Sequence, residues 1–227
     1  QLTYDSKGNV MSTTNGAGGS AVFTYDADGN AISKTLTRTG EGGVNKTLTE
    51  TYQHDVYGNV TKTIYPDGTF VDIEYDAVGN KTAVTDSSGR RTAFEYDIFG
   101  NLKKVSYFDG TFEFFDYDAE NRNTGATDRY GQVITMAYDN VGNLLTKTYK
   151  DSTSERFTYD AKKRLTKKTD RAGAATIYEY DSIDRNTAIT DALGNKTGFT
   201  YNSKSQLSEV KDPRGNITKY EYDLNGR

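Results

Sequence analysis

The phrase "EYDAVGN" at residues 74–80 returns as "EYDIFGN" at residues 95–101, and the same words run through the whole chain. Aligning them on the Tyr-Asp pair gives Tyr4, Tyr25, His54 in a tyrosine seat, Tyr75, Tyr96, Tyr117, Tyr138, Tyr159, Tyr180, Tyr201 and Tyr222. Nine of the ten intervals are 21 residues and the remaining one, Tyr25 to His54, is 29. The 227 residues therefore read as one array, residues 1–227, of ten full units and the start of an eleventh. A unit this short cannot enclose a core of its own. It gains stability only by stacking on its neighbours.

Each unit carries a half-period. "YDAVGN" (Tyr75 to Asn80) is followed by "TDSSGR" (Thr85 to Arg90), so Asp-x-x-Gly recurs every ten or eleven residues. Aspartate at the first place of a type I turn accepts backbone amide bonds, and glycine at the fourth takes positive φ without a Cβ penalty. That pattern suits a hairpin with a G1 bulge. The turn residues so marked are Asp26 and Gly29, Asp76 and Gly79, Asp97 and Gly100, Asp139 and Gly142, and Asp191 and Gly194. "YDAENR", "YDAKKR" and "YNSKSQ" lack the glycine, and another turn geometry is expected there.

Between turns, "FTYD", "FEYD" and "YEYD" alternate rings with Thr or Glu. Period two places both rings on one face of a strand, and no helical spacing persists. The expectation is all-β: an antiparallel hairpin meander with two strands per unit, about 21 strands at ~4.8 Å spacing. So long an open sheet must curl, and near-identical steps make it coil as a spiral. The eight extra residues fall within Ser33–Glu50, where "TLTRT" and "KTLTE" flank "GEGG". Two strands lengthened together keep register, so this is read as an elongated hairpin.

Composition decides against disorder. Only 34% of residues are hydrophobic and mean hydropathy is −0.79, yet 18 Tyr and 10 Phe accompany a net charge of just −4. Disordered chains are aromatic-poor and highly charged. No amphipathic helix or second strand type exists to cover the ring-bearing face, so a single layer is expected, its tyrosine hydroxyls reaching water. Mild acidity argues against nucleic acid, which asks for a basic stripe. The densest basic stretch, Lys162 to Arg171, reads as a solvated strand edge or turn. There is no cysteine for a disulfide or thiolate site, and no apolar run long enough for a membrane span. The chain opens in mid-phrase at "QLTYD" with no initiator methionine, signal or targeting tail, and reads as a stretch of a longer array.

The pattern YDxxGN followed by DxxG and FxYD resembles the YD repeat of Rhs proteins, found also in Tc toxin cocoons, wall-associated toxins and teneurins. The resemblance covers essentially the whole chain. It implies a spiralling β-sheet forming part of a hollow shell, in a secreted or surface-displayed protein whose shell encloses or carries a C-terminal toxin or effector. Neither the family's autoproteolytic core region nor a variable payload is present among these residues. Partners implied are neighbouring repeats and an enclosed or attached polypeptide of the same protein.

No residue stands apart as catalytic, and no cofactor or metal site is expected. His54, the sole histidine, is a planar ring in a tyrosine seat. "DADGN" (Asp26 to Asn30) lacks the distant glutamate of a calcium loop. "KDPRGN" (Lys211 to Asn216), "YPDGTF" and "YFDGTF" are turns. The side chains expected to matter are structural: the ladder Tyr25, Tyr75, Tyr96, Tyr117, Tyr138, Tyr159, Tyr180, Tyr201 and Tyr222, with the turns above. The alternative function is a carbohydrate-binding or adhesive surface using exposed tyrosines, with glycans as partners. Open strand edges make end-to-end self-association an expectation too.

Overall fold

The computed structural model describes residues 1–15, 19–39, 45–223 and 225–226, and they contain strands and turns with no helix. Twenty-one strands run from β1 (Leu2–Tyr4) to β21 (Ile217–Lys219). They fall into two compact units, residues 1–113 and 114–227. In the first, β1 to β10 (Leu102–Ser106) pair each with the next, always antiparallel. In the second the same holds from Phe114, in β11 (Phe112–Tyr117), through β21. Two strands per repeat, in sequential order, is the meander the half-period predicts.

Two kinds of hairpin alternate. In β7 (Phe70–Tyr75) and β8 (Lys81–Asp86), Glu74 faces Ala83 but Tyr75 faces Lys81, leaving Thr82 as an extra residue. The same shift occurs at Tyr25, His54, Tyr138, Tyr159, Tyr180 and Tyr201. The half-turn hairpins, such as β8 with β9 (Arg91–Tyr96), pair without a shift. Each repeat thus contains one bulged and one straight connection, and bulges raise local twist.

The long hairpin forms as the paired insertion requires. β4 (Ala31–Thr39) and β5 (Asn45–His54) stay in register from Ser33 opposite Thr51 to Thr39 opposite Asn45. Its glycine-rich tip, 40–44, lies outside the described residues.

Burial follows the alternation: in β17 (Ala175–Tyr180) Tyr178 and Tyr180 are half-buried with Glu179 exposed between them, and in β13 (Val133–Tyr138) Met136 and Tyr138 take the same seats about exposed Ala137. Phe94 faces Val105 across strands, and Tyr178 faces Ile189. Among the described residues the buried apolar side chains are only Ala21, Ala83, Val105 and Ala188. A sheet with one half-covered face has that kind of core.

Candidate functional site

The recurring structural site is the YD turn. Asp76 N–H donates to the Asn80 carbonyl, and Gly79 N–H returns to the Asp76 carbonyl. The Asp76 carboxylate accepts from the amides of Val78 and Asn80 through Oδ1, at 3.0 and 2.9 Å, and from Asn80 Nδ2 through Oδ2 at 2.9 Å. Asp26, Asp97 and Asp139 do the same. Asp191 repeats the arrangement in a half-turn. The Asn80 side-chain bond, with the Asn80 amide and against the effect of burial, holds the Asp76 carboxyl below its usual range. Gly29, Gly79, Gly100, Gly142 and Gly194 all have positive φ, from 83° to 93°.

In seven repeats the tyrosine next to the aspartate does a second job, one that Tyr117 and Tyr159 do not share. Tyr75 Oη donates 3.1 Å to the carbonyl of Val60, the first residue of β6 (Val60–Ile64). The ladder between β6 and β7 ends at Lys62 opposite Asp72, so this carbonyl lies beyond the last backbone pair. The phenol takes the place of the missing amide. Tyr25, Tyr96, Tyr138, Tyr180, Tyr201 and Tyr222 make the identical bond, always to the residue fifteen positions earlier. Each tyrosine therefore clips its own repeat to the exit of the preceding turn. The hydroxyl goes to protein rather than to water, which corrects the expectation from amphipathic character alone. Tyr159 is half-buried, and burial together with the Asp139 charge raises its phenol. Tyr117 closes β11 with its ring half-buried.

Turns without glycine keep the same geometry, against the expectation of a different one. Asn121, Lys163, Asp184 and Ser205 occupy the glycine place with φ between 60° and 70°. Three of these turns end in arginine instead of asparagine. Arg164 Nε reaches Asp160 Oδ2 at 2.7 Å, Nη1 reaches the Asp181 carbonyl at 2.8 Å, and the guanidinium lies 4.8 Å from the Tyr180 ring centroid. Arg122 repeats all three contacts on Asp118, Asp139 and Tyr138. Arg185 pairs with Asp181 and stacks on Tyr201 at 4.7 Å. A side chain in the left-handed region costs about 1 kcal/mol or more. The arginine adds a charge-assisted pair to the turn aspartate and a cation–π contact to the next repeat.

The other residues singled out in the sequence are turn or ladder members. His54 closes β5 opposite Val60, with the ring seat but no hydroxyl. Asp26 spends both carboxylate oxygens on its turn. Asp212, Pro213 and Gly215 form a turn of the same type. In the basic stretch, Lys162, Arg164, Lys168 and Arg171 pair with Asp184, Asp160, Glu155 and Asp151. The arginine substitution was visible in the sequence as "ENR", "KKR" and "IDR", but its meaning depends on the ring it covers. Among the described residues no helix is long and apolar enough to cross a membrane.

Two family models match. "Teneurin YD-shell" covers residues 132–226 and "RHS Repeat" covers residues 75–111. Among solved structures, TcdB2-TccC3-TEV matches at TM-score 0.64 and 14% identity over 98% of this chain. TcdB2-TccC3 without its hypervariable C-terminal region matches at TM-score 0.56 and 12% identity over 99%. The chain spans only 13% and 16% of those two chains. With period, turn, strand order and both models in agreement, the chain is built of YD (RHS) repeats, as its motifs imply.

Proposed function

We propose that residues 1–227 serve as one structural array, part of the wall of a β-cocoon that encloses or carries a toxin or effector polypeptide of the same protein. The tyrosine clip is the observation that supports this most directly. Seven copies of one bond tie successive repeats together, and none departs toward a specialised constellation. Such repetition serves a surface, whereas catalysis needs one distinct place. The fold shared with TcdB2-TccC3, one form of which lacks a hypervariable C-terminal region, supports a wall that carries a polypeptide. The same kinship supports a secreted or surface-displayed protein.

The test is protease protection in the full-length protein. The polypeptide that follows the repeats should survive protease concentrations that digest it in isolation. Equal digestion in both forms, or no such polypeptide following the repeats, overturns the proposal.

A further inference from the structure

Three repeats place a guanidinium between one YD turn and the next. Arg122, Arg164 and Arg185 each close a turn and donate from Nε to its aspartate at 2.7 Å. Each also lies 4.7 to 5.0 Å from the ring centroid of the following tyrosine, Tyr138, Tyr180 or Tyr201. Arg122 and Arg164 further donate from Nη1 to the carbonyl of the next YD aspartate, Asp139 or Asp181, at 2.9 and 2.8 Å. Carboxylate, carbonyl and ring thus make one seat, and the chain itself shows what fills it.

The repeat of Asp76 keeps the seat without the arginine. Asn80 stands at the arginine position, and Tyr96 follows it by sixteen residues, as Tyr138 follows Arg122. The shorter amide reaches back to Asp76 at 2.9 Å and goes no further. A cleft of about 810 Å³ opens here, lined among others by Asp76, Asn80, Tyr96 and Asp97. Its acceptors are not exhausted. Asp76 Oδ2 takes one hydrogen bond, from Asn80 Nδ2, and the Asp97 carbonyl takes one, from Gly100 N–H. Each oxygen has a lone pair left for a second. Tyr96 is already fixed by its bond to the Lys81 carbonyl at 2.9 Å, so the ring needs no reordering.

Charge and surface agree with that vacancy in the sequence. No Lys or Arg lines the cleft, while Asp76, Glu95 and Asp97 do. Glu95 is paired with Lys104 at 3.1 Å, and Lys103 acts on Asp97, yet neither lysine belongs to the lining. Val78, Ile98 and Phe99 border it at 82, 93 and 70% exposure, apolar ground for residues flanking a bound side chain.

We propose that the cleft between the Asp76 and Asp97 turns binds an arginine side chain of a peptide, the guanidinium lying on Tyr96 and donating to Asp76 and the Asp97 carbonyl. Lysine is a poor substitute, because a point charge on a flexible stem cannot serve both acceptors and cover the ring. The cleft between the Asp26 and Asp55 turns has Asn30 in the same place but His54 as its ring, a poorer partner for a cation, and is not included.

NMR titration of the 227-residue chain with a blocked Leu-Arg-Leu peptide tests it. Saturable shifts should appear at the Tyr96 ring and the amides of Asp97 and Gly100. Blocked Leu-Lys-Leu, and agmatine as a guanidinium without a peptide, should each bind about tenfold or more weakly. Asn80→Arg supplies the guanidinium within the chain and should abolish the peptide shifts at Tyr96. Glycine followed by a pairing arginine already occurs at Gly89 and Arg90, so circular dichroism of this variant should match the parent. Absence of saturable shifts at Tyr96 overturns the proposal. So does equal binding of the lysine peptide or of agmatine, two arms that decide even if Asn80→Arg fails to fold. A folded Asn80→Arg chain that binds the arginine peptide like the parent overturns it too.

Discussion

The hydroxyl of Tyr201 donates to the carbonyl of Asn186 across 2.8 Å, joining a strand end to a turn exit one repeat away. Replacing the phenol by a ring of the same shape isolates this bond. Tyr201→Phe should lower stability by about 1 kcal/mol, the usual net value of one intramolecular hydrogen bond. Urea titration followed by circular dichroism measures it, and an unchanged midpoint would show that the carbonyl is equally well served by water. Tyr201→Ala should cost more, because it also strips the face on which Arg185 lies.

Turn chemistry gives a graded series at one position. Gly100 has φ of 85°, and a Cβ built there meets no atom within 4 Å. The penalty for Gly100→Val is therefore backbone strain alone, about 1 kcal/mol or more. Gly100→Asn should be milder, since asparagine tolerates this region and Asn121 already occupies it. Equal denaturation midpoints for the valine variant and the parent would refute the turn assignment.

Arginine at the end of a turn acts through shape as well as charge. Arg164→Lys keeps the cation but cannot span Asp160, the Asp181 carbonyl and the Tyr180 face together. The lysine variant should melt close to Arg164→Ala and below the parent. A lysine variant that melts with the parent would mean that simple ion pairing suffices.

Acid stability follows from the turn aspartates. Their carboxyls are lowered in the folded state, for Asp76 first by the Asn80 side chain. Folding thus favours the ionised form. The stability this provides is fully present above the ordinary carboxylate pKa of about 3.9 and is lost as pH falls through the lower folded value. Thermal midpoints should hold down to about pH 4 and fall below it. Asp76→Asn should remove part of that dependence. A flat profile to pH 2 would exclude these carboxylates as its source.

Alkaline behaviour offers the opposite sign. Burial, then the bond to Glu50 Oε2, pushes the Tyr52 phenol up to about 12. Folding favours its neutral form, so this stabilisation is intact below the ordinary phenol value of about 10 and disappears as pH rises through about 12. Phenolate absorbance near the end of the titration should lose amplitude in Tyr52→Phe. An unaltered late phase would reassign it to another tyrosine.

Turns and strands were legible because their causes are local. Asp76 and Gly79 are three residues apart, and Phe94 and Tyr96 share a face by alternation alone. The tyrosine clip was not legible. Its acceptor depends on the bulge that leaves Thr82 unpaired and on where the β6–β7 ladder stops, both properties of paired strands. For the same reason, loss of glycine at Lys163 looked like a change of turn. That turn instead keeps its geometry with Lys163 in the left-handed region, and the following Arg164 reaches a ring at Tyr180 sixteen residues further on.

The fifteen-residue reach of the clip sets the increment by which such a chain can grow in evolution. Deleting one strand and its half-turn would bring each phenol to the wrong margin and invert every side chain that follows. Removing a complete 21-residue module leaves the next tyrosine facing an equivalent carbonyl. Gene duplication and loss are thereby confined to whole modules, with the lengthened β4–β5 pair showing the other permitted change: residues added to both arms of one hairpin at once.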